Sequence, residues 1–532
     1  MTSVPVLVVL CLALTVACPP AWQPWVQFAA AALVAAAVTA RRGGRPFLGT
    51  RPGARRPPVD VVDLVAPDRS HVGCVEGHRI VTTAVEISGG STAPTEVGRD
   101  DPADFPGVRL PLSAVGRQLD RGGPALEGID VVVRGRRTST GPDGAVYAAL
   151  VGPLALISRR RVHLLLRFDL ERLAACPGTT DRGDLERRVA VATERVRRAL
   201  VHHGVPCRVL DAAELAERYL EAEEDARSGD RIGLIVRAGA DARTVVDALG
   251  AVPAAEVTEV LRLRPVPGRP DRVDVVTVAG LTGADPGALP TPATGACRPL
   301  LDGGMLPVPG EPLTEELAGA AARHRIADLD LLAPPAHGAG QILGATRAGG
   351  ASALQLAGPH LRSVLLAARP TVCRQVVLRA VASGYRVAVV TDVPDRWRPL
   401  LAIADETRYR IVDPDASDAG APVDAVVWDV AGKLSEARID AFAGPGGPDV
   451  TAPTVIRVDA DWGVGLPHDT AAGAPPDLVL DGRIDGWISV EPRGGEPYRV
   501  SVVSGPGEER YVNGPAEVTP AGAAPSASPD RR

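Results

Sequence analysis

The chain has 532 residues, a formal net charge of −6 and an apolar fraction of 45%. Such a length holds two or three domains of about 100 to 200 residues each, and no stretch outside residues 41–56 is strongly basic, which argues against a nucleic-acid partner. The seven cysteines, Cys11, Cys18, Cys74, Cys176, Cys207, Cys297 and Cys373, form no C-x-x-C pair. That pattern speaks against a structural zinc site and suits a reducing compartment.

Residues 1–40 contain no acidic or basic side chain. Apolar runs at 4–17 and 26–40 are separated by Cys18, Pro19 and Pro20, and Trp22 and Trp25 flank Pro24. The pattern predicts a two-helix transmembrane hairpin with its tryptophans at the membrane–water interface. Arg41, Arg42, Arg45, Arg51, Arg55 and Arg56 follow, with no acid before Asp60. Such a cluster holds its end of a helix, and everything after it, on the cytoplasmic side. Three other readings fit parts of the stretch: a cleaved signal peptide, a lipoprotein acceptor at Thr15-Val16-Ala17-Cys18, and a buried soluble helix over 26–40. The first run is shorter than the about 20 apolar residues of a span, the signal peptide lacks a basic n-region, and the acceptor leaves the second run unexplained.

Residues 41–59 read as a basic linker rich in Gly and Pro. Strands are expected at 72–76 and 80–87 around a turn at Gly77 and His78, then a polar loop at 89–107, a short helix at 110–119 and a strand at 129–135. Turn composition at 141–144 makes 145–151 a return strand. From residue 161 strands and helices alternate: a strand at 162–168, a helix over 185–200 capped by Asp184, a strand at 205–210, and a helix at 212–225 opened by the Asp211 and Glu214 capping box. This order predicts parallel βαβ units. Strands at 232–236 and 273–279 and a helix at 242–249 lead into an irregular Gly and Pro region at 282–312. The last part reads as strand 364–367, helix 371–383, strand 386–391, helix 397–404 and strands at 423–430, 455–458, 478–480, 486–490 and 498–503. A Pro, Ala and Ser tail closes the chain. The fold class expected is therefore α/β, a two-helix transmembrane hairpin followed by cytoplasmic α/β domains with a mostly parallel sheet. Its parts are the hairpin 1–40, linker 41–59, first part 60–281, connection 282–330, second part 331–505 and tail 506–532.

Chemistry is sparse. The turn Ala368-Arg369-Pro370-Thr371 stands where a dinucleotide binder has its glycines, and no P-loop occurs. Asp392, Asp429, Asp459 and Asp461 end late strands, the last two forming a D-x-D. In nucleotide-sugar transferases that pattern holds Mg²⁺ or Mn²⁺ against a diphosphate, while aspartate after a strand is also ordinary turn chemistry. His202 and His203 suit a helix C-terminus, His163 reads as a packed strand residue, and Ser88 and Ser352 lie in no nucleophile elbow.

Several stretches, in this order, carry a family resemblance. After the paired apolar runs come HVGCVEGHRIVTTAVEI (71–87) and VRLPLSAVGRQLDRGGPALEGIDVVVRG (108–135). RRRVHLLLRFDLERL (159–173) and RVRRALVHHGVPCRVLDAAEL (195–215) follow, then GQILGATRAGGASALQL (340–356) and SVLLAARPTVCRQVVLRAVASGYRVAVVTDVPDRWRPLL (363–401). Together they resemble the EccE component of type VII (ESX) secretion machinery. The resemblance implies a non-enzymatic subunit of the inner membrane, anchored by two helices in the lipid bilayer, with a cytoplasmic α/β body and EccB, EccC and EccD as partners. The family's ATPase is EccC, so no catalytic residue, cofactor or metal is expected here. The Gly and Pro insertions at 282–312 and 444–453 depart from the family pattern. The competing function is a membrane-anchored nucleotide-sugar glycosyltransferase using Asp459 and Asp461 for metal binding.

Overall fold

The computed structural model describes residues 41–42, 45–46, 60–77, 79–98, 108–119, 126–178, 181–227, 231–300, 317, 319–416, 420–430, 438–439, 441–442, 453–459 and 475–513. The strands are β1 (Asp60–Val65), β2 (His71–Glu76), β3 (Ile80–Ile87), β4 (Thr95–Val97), β5 (Leu126–Arg136), β6 (Arg159–Asp169), β7 (Cys207–Val209), β8 (Arg231–Val236), β9 (Glu256–Val266), β10 (Arg269–Thr282), β11 (Cys297–Pro299) and β12 (Ala322–Arg325). All but β4 build one sheet, in the order β11-β8-β10-β9-β5-β6-β3-β2-β1, with β12 beside β10 and β7 beside β3.

Every neighbouring pair in this sheet is antiparallel, which overturns the mostly parallel sheet expected from the alternation of strands and helices. The helices in order are α1 (Leu112–Gly116), α2 (Pro142–Val151), α3 (Leu170–Ala174), α4 (Arg182–His202), α5 (Ala212–Arg227) and α6 (Ala242–Gly250). The alternation is present, but β6 and β7 lie on opposite sides of β3, and both pair with it antiparallel. They are parallel to each other without touching, a split βαβ arrangement. Hydrophobic spacing reveals each element's period and says nothing of which strand is inserted between two others.

The apolar face of this sheet is covered by α4, whose Val189, Ala192, Val196 and Leu200 recur at helical spacing and join Leu164, Leu166, Phe168, Ile129 and Val131 in one core. Asp181, not Asp184, caps this helix, accepting from the Asp184 amide at 2.8 Å. Helix α5 opens with a reciprocal capping box: the Glu214 amide donates to Asp211 at 2.8 Å, and Glu214 accepts from the Asp211 amide at 3.2 Å. Residues 145–151 are helical rather than a return strand. Pro142 supplies the fixed φ of a first helical turn, and Tyr147 and Val151 pack toward the second sheet.

That second sheet contains β13 (Gln341–Ala345), β14 (Ala351–Leu354), β15 (Ser363–Ala368), β16 (Val387–Thr391), β17 (Tyr409–Val412), β18 (Ala425–Asp429), β19 (Thr454–Val458), β20 (Leu478–Gly482), β21 (Trp487–Pro492) and β22 (Tyr498–Ser501). The order is β17-β16-β18-β19-β15-β20-β21-β22-β13-β14-β4. Strands β17 through β20 in that order are parallel, and the rest are antiparallel. The sheet is mixed. Helix α8 (Pro370–Ala382), which follows α7 (Thr291–Ala296), buries ten consecutive residues from Cys373 to Ala382. Its Arg379 is 1% exposed and is held by Glu508 through Nε at 2.7 Å and Nη2 at 2.8 Å. The same guanidinium donates to the Ile342 and Leu343 carbonyls. The segment just past residue 505 is thereby pinned to the sheet.

No helix among the described residues is long and apolar enough to cross a membrane, and the expected hairpin at 1–40 lies outside them. The expectation of an α/β body with a transmembrane hairpin and a mostly parallel sheet is therefore replaced by two large sheets, one antiparallel and one mixed.

The two sheets are tied by charge. At the start of β6, Arg159 forms a bidentate pair with Asp424 (Nη2 to Oδ1 2.7 Å, Nη1 to Oδ2 3.1 Å), donates to the Gly384 carbonyl and lies 4.9 Å from the centre of the Tyr385 ring. Asp424 also accepts from the Arg386 amide at 2.8 Å. Burial would raise this carboxyl, but Arg159 and Arg161 outweigh it and hold it down at about 2. A depressed carboxyl adds stability that is complete above its unfolded value near 4 and is lost as pH falls toward 2, about 2 kcal/mol in all. Asp424→Asn is expected to lower stability at pH 7 by that amount and to flatten the stability profile between pH 4 and 2. Denaturant midpoints measured across that range check it.

Candidate functional site

In an open parallel sheet, ligands bind at the carboxyl ends of neighbouring strands whose connections depart in opposite directions. One such pair is β16 and β18: the chain leaves β16 for β17 on one side and β18 for β19 on the other. Thr391 and Asp429, paired in register, end the two strands. Asp429 is only 4% exposed, and all its bonding capacity faces inward. It accepts from Thr391 Oγ1 at 3.2 Å, Arg396 Nη1 at 2.6 Å and Trp397 Nε1 at 2.7 Å. The Trp397 ring is fully buried and packs with Cys373, Leu400 and Tyr409. The place where a nucleotide would sit is filled by this chain's own indole.

The remaining acids are dispersed. Asp392 is exposed. Asp459 is half-buried, its amide donates to the Leu366 carbonyl at 3.1 Å, and its charge acts on Arg483, which is bonded to Asp481. Asp461, the other half of the D-x-D, lies outside the described residues. Among the described residues no three His, Cys, Asp or Glu side chains gather to hold a metal ion. Burial, reinforced by the charge of Asp429, pushes the Cys373 thiol up to about 12, so it is not a thiolate at neutral pH. His163, expected to be a packed strand residue, is buried and meets Glu86 at 3.3 Å, and His202 and His203 end α4 at the surface.

A second site lies in the antiparallel sheet, under α6. A cavity of about 130 Å³ is lined by Arg109, Arg160, Arg243, Asp247 and Glu259 among apolar neighbours. Asp241 caps α6, accepting from the amides of Arg243 and Thr244, and this sets Arg243 over the sheet. There Nε meets Asp247 at 3.0 Å and Nη1 meets both oxygens of Glu259 at 3.3 Å. Arg160 donates to the His337 carbonyl, and Arg109 to that of Ala333. Burial brings Arg160 down to about 10, and the neighbouring Arg243 adds to that. Burial also raises Glu259 even though both arginines oppose it. Three arginines meet two acids and two backbone carbonyls in a space the size of a few waters, an arrangement that orders a sheet end.

Sequence reading misses Arg243 and Glu259. Strand β9, which carries Glu259, has Pro265 and Pro267 at its end, and Glu259 itself interrupts the alternation of Val257, Leu261 and Leu263 with polar residues. The signal that was available is the run Arg159-Arg160-Arg161 at the head of an apolar strand.

The family model described as putative type VII ESX secretion system translocon, EccE, matches residues 156–250. Over that segment the chain is similar to the EccE family. The segment contains β6, the strand between β5 and β3, together with α3, α4, β7, α5, β8 and α6. It also supplies Arg160, Arg243 and Asp247 to the cavity and Arg159 to the tie between the sheets. No curated protein matches the chain.

Replacing Asp429 by alanine leaves a buried indole N–H without an acceptor and removes the partner of Arg396. Asp429→Ala is expected to cost about 2 to 3 kcal/mol and to weaken the near-UV circular dichroism of Trp397. Urea unfolding together with that spectrum checks both.

Proposed function

We propose that this protein is a non-enzymatic structural subunit of the type VII (ESX) secretion complex of the inner membrane. It assembles there with EccB, EccC and EccD homologues at the lipid bilayer. The observation that carries this reading is the EccE match over residues 156–250. Two features of the site support the non-enzymatic part. The switch-point crevice is closed by Trp397 and Asp429, and under α6 Asp247 and Glu259 are both engaged by Arg243. The matched segment supplies one central strand, β6, a second strand near the edge, β8, and helices that cover the sheet, which suits a scaffold whose outer surfaces meet other subunits.

The reading requires physical association. Solubilising membranes in mild detergent and capturing the full chain is expected to recover EccB, EccC and EccD homologues in one particle. A chain that emerges alone, from cells whose secretion complex assembles normally without it, would sink the proposal.

A further inference from the structure

Away from both sites, the C-terminal half of α4 and the end of α1 enclose a surface cleft of about 440 Å³. Its polar lining is Arg117, Gln118, Arg195, Arg198, His202 and His203, with no carboxylate among the lining residues. Among the described residues, Glu194 is engaged by Arg197 at 2.6 and 2.7 Å and by Arg198 at 2.8 Å, and Asp330 by the Ser113 amide and hydroxyl. Asp68 acts on Arg197 and Arg198 by charge alone.

The negative end of the α4 dipole accounts for basic residues in its last turn. It does not account for Arg195, two turns earlier, or for Arg117 on another helix. Arg195 is half-buried and has no hydrogen bond or ion pair among the described residues, and Arg117 has only a long contact to Ser113 at 3.4 Å. An independent observation comes from Gln118. It is 8% exposed, its Nε2 donates to the Ala114 carbonyl at 3.3 Å, and its Oε1 is buried with no partner. A buried acceptor left open is costly, and a ligand hydroxyl entering the cleft would satisfy it.

We propose that this cleft binds a phosphate ester of a small polyol, its phosphate between Arg117 and Arg195 and a polyol hydroxyl donating to Gln118 Oε1. Arginine suits phosphate because its planar fork offers parallel N–H donors, and the cleft volume falls within the range of small-ligand sites. Both a glycerophosphate lipid headgroup and a soluble polyol phosphate have this chemistry.

The test uses the full chain in detergent and four probes: glycerol 1-phosphate, inorganic phosphate, and short-chain phosphatidylglycerol and phosphatidylcholine, followed by calorimetry and native mass spectrometry. Glycerol 1-phosphate is expected to bind more tightly than inorganic phosphate. Arg195→Glu, at a surface position, is expected to weaken it on the order of tenfold. Gln118→Met is expected to remove the preference over inorganic phosphate while leaving inorganic phosphate binding in place. Displacement of glycerol 1-phosphate by phosphatidylglycerol, but not by phosphatidylcholine, assigns the site to a lipid headgroup. Binding of the soluble ester without such displacement assigns it to a soluble ligand. Binding that is unchanged in both Arg195→Glu and Arg117→Glu, or no binding of any phosphate probe, overturns the proposal, as does occupancy by an acidic peptide that glycerol 1-phosphate does not displace.

Discussion

The carboxylate of Asp424 joins the two halves of this protein. It is a buried anion that must be matched, and its partners come from both sheets: the guanidinium of Arg159 at the head of β6 and the backbone amide of Arg386 just before β16. A buried pair of this kind gains little over an apolar contact of the same size, yet losing either member is expensive. It therefore acts mainly on geometry. The relative placement of two large sheets is set where an arginine and an aspartate have to meet, and a second pair, Arg408 with Asp143, repeats the device nearby.

The same logic runs through the antiparallel sheet. Asp130 on β5 lies opposite Arg262 on β9 and diagonal to Arg167 on β6, with contacts of 3.1 and 3.0 Å, and all three side chains are buried. Slipping any of these strands by one residue would send its charge into the apolar face and its valines and leucines to the other side. The charges make register a matter of matching as well as of hydrophobicity. In a sheet where several sequential strands, such as β3 and β5 or β8 and β9, are not neighbours, that added specification is useful, because long-range pairings have many near-equivalent competitors.

Function follows from where polar groups are left open and where they are closed. At the carboxyl end of the parallel strands, Asp429 is bonded by a tryptophan, an arginine and a threonine of the same chain, so a fold well suited to nucleotides presents a filled crevice. Under α6 Arg243 is answered by Asp247 and Glu259. The cleft between α1 and α4 differs: its arginines line it together with Gln118, whose amide oxygen is buried and has no partner.

Much was legible in the sequence where one local signal suffices. The helical period of residues 185–200, the Asp211 and Glu214 box and the apolar run of β6 each depend on neighbours within a few residues, and the structure contains those elements. The ordered stretches that resemble EccE were legible too, and the family match covers 156–250. Asp459, singled out by the D-x-D pattern, was legible as an acid after a strand, but its surroundings were not. The sequence by itself determined many of the helices and strands, though not the helix over 145–151 or the strand β9, and which family they resemble, because propensity, capping and periodicity act over a few residues. Only the tertiary structure decided that β3 separates β6 from β7, that the first sheet is antiparallel throughout, that Trp397 closes the crevice on Asp429, and that Gln118 lines one cleft with three arginines. Each of these depends on which distant strand or side chain arrives beside another, and such a meeting leaves no trace in the local pattern of either partner.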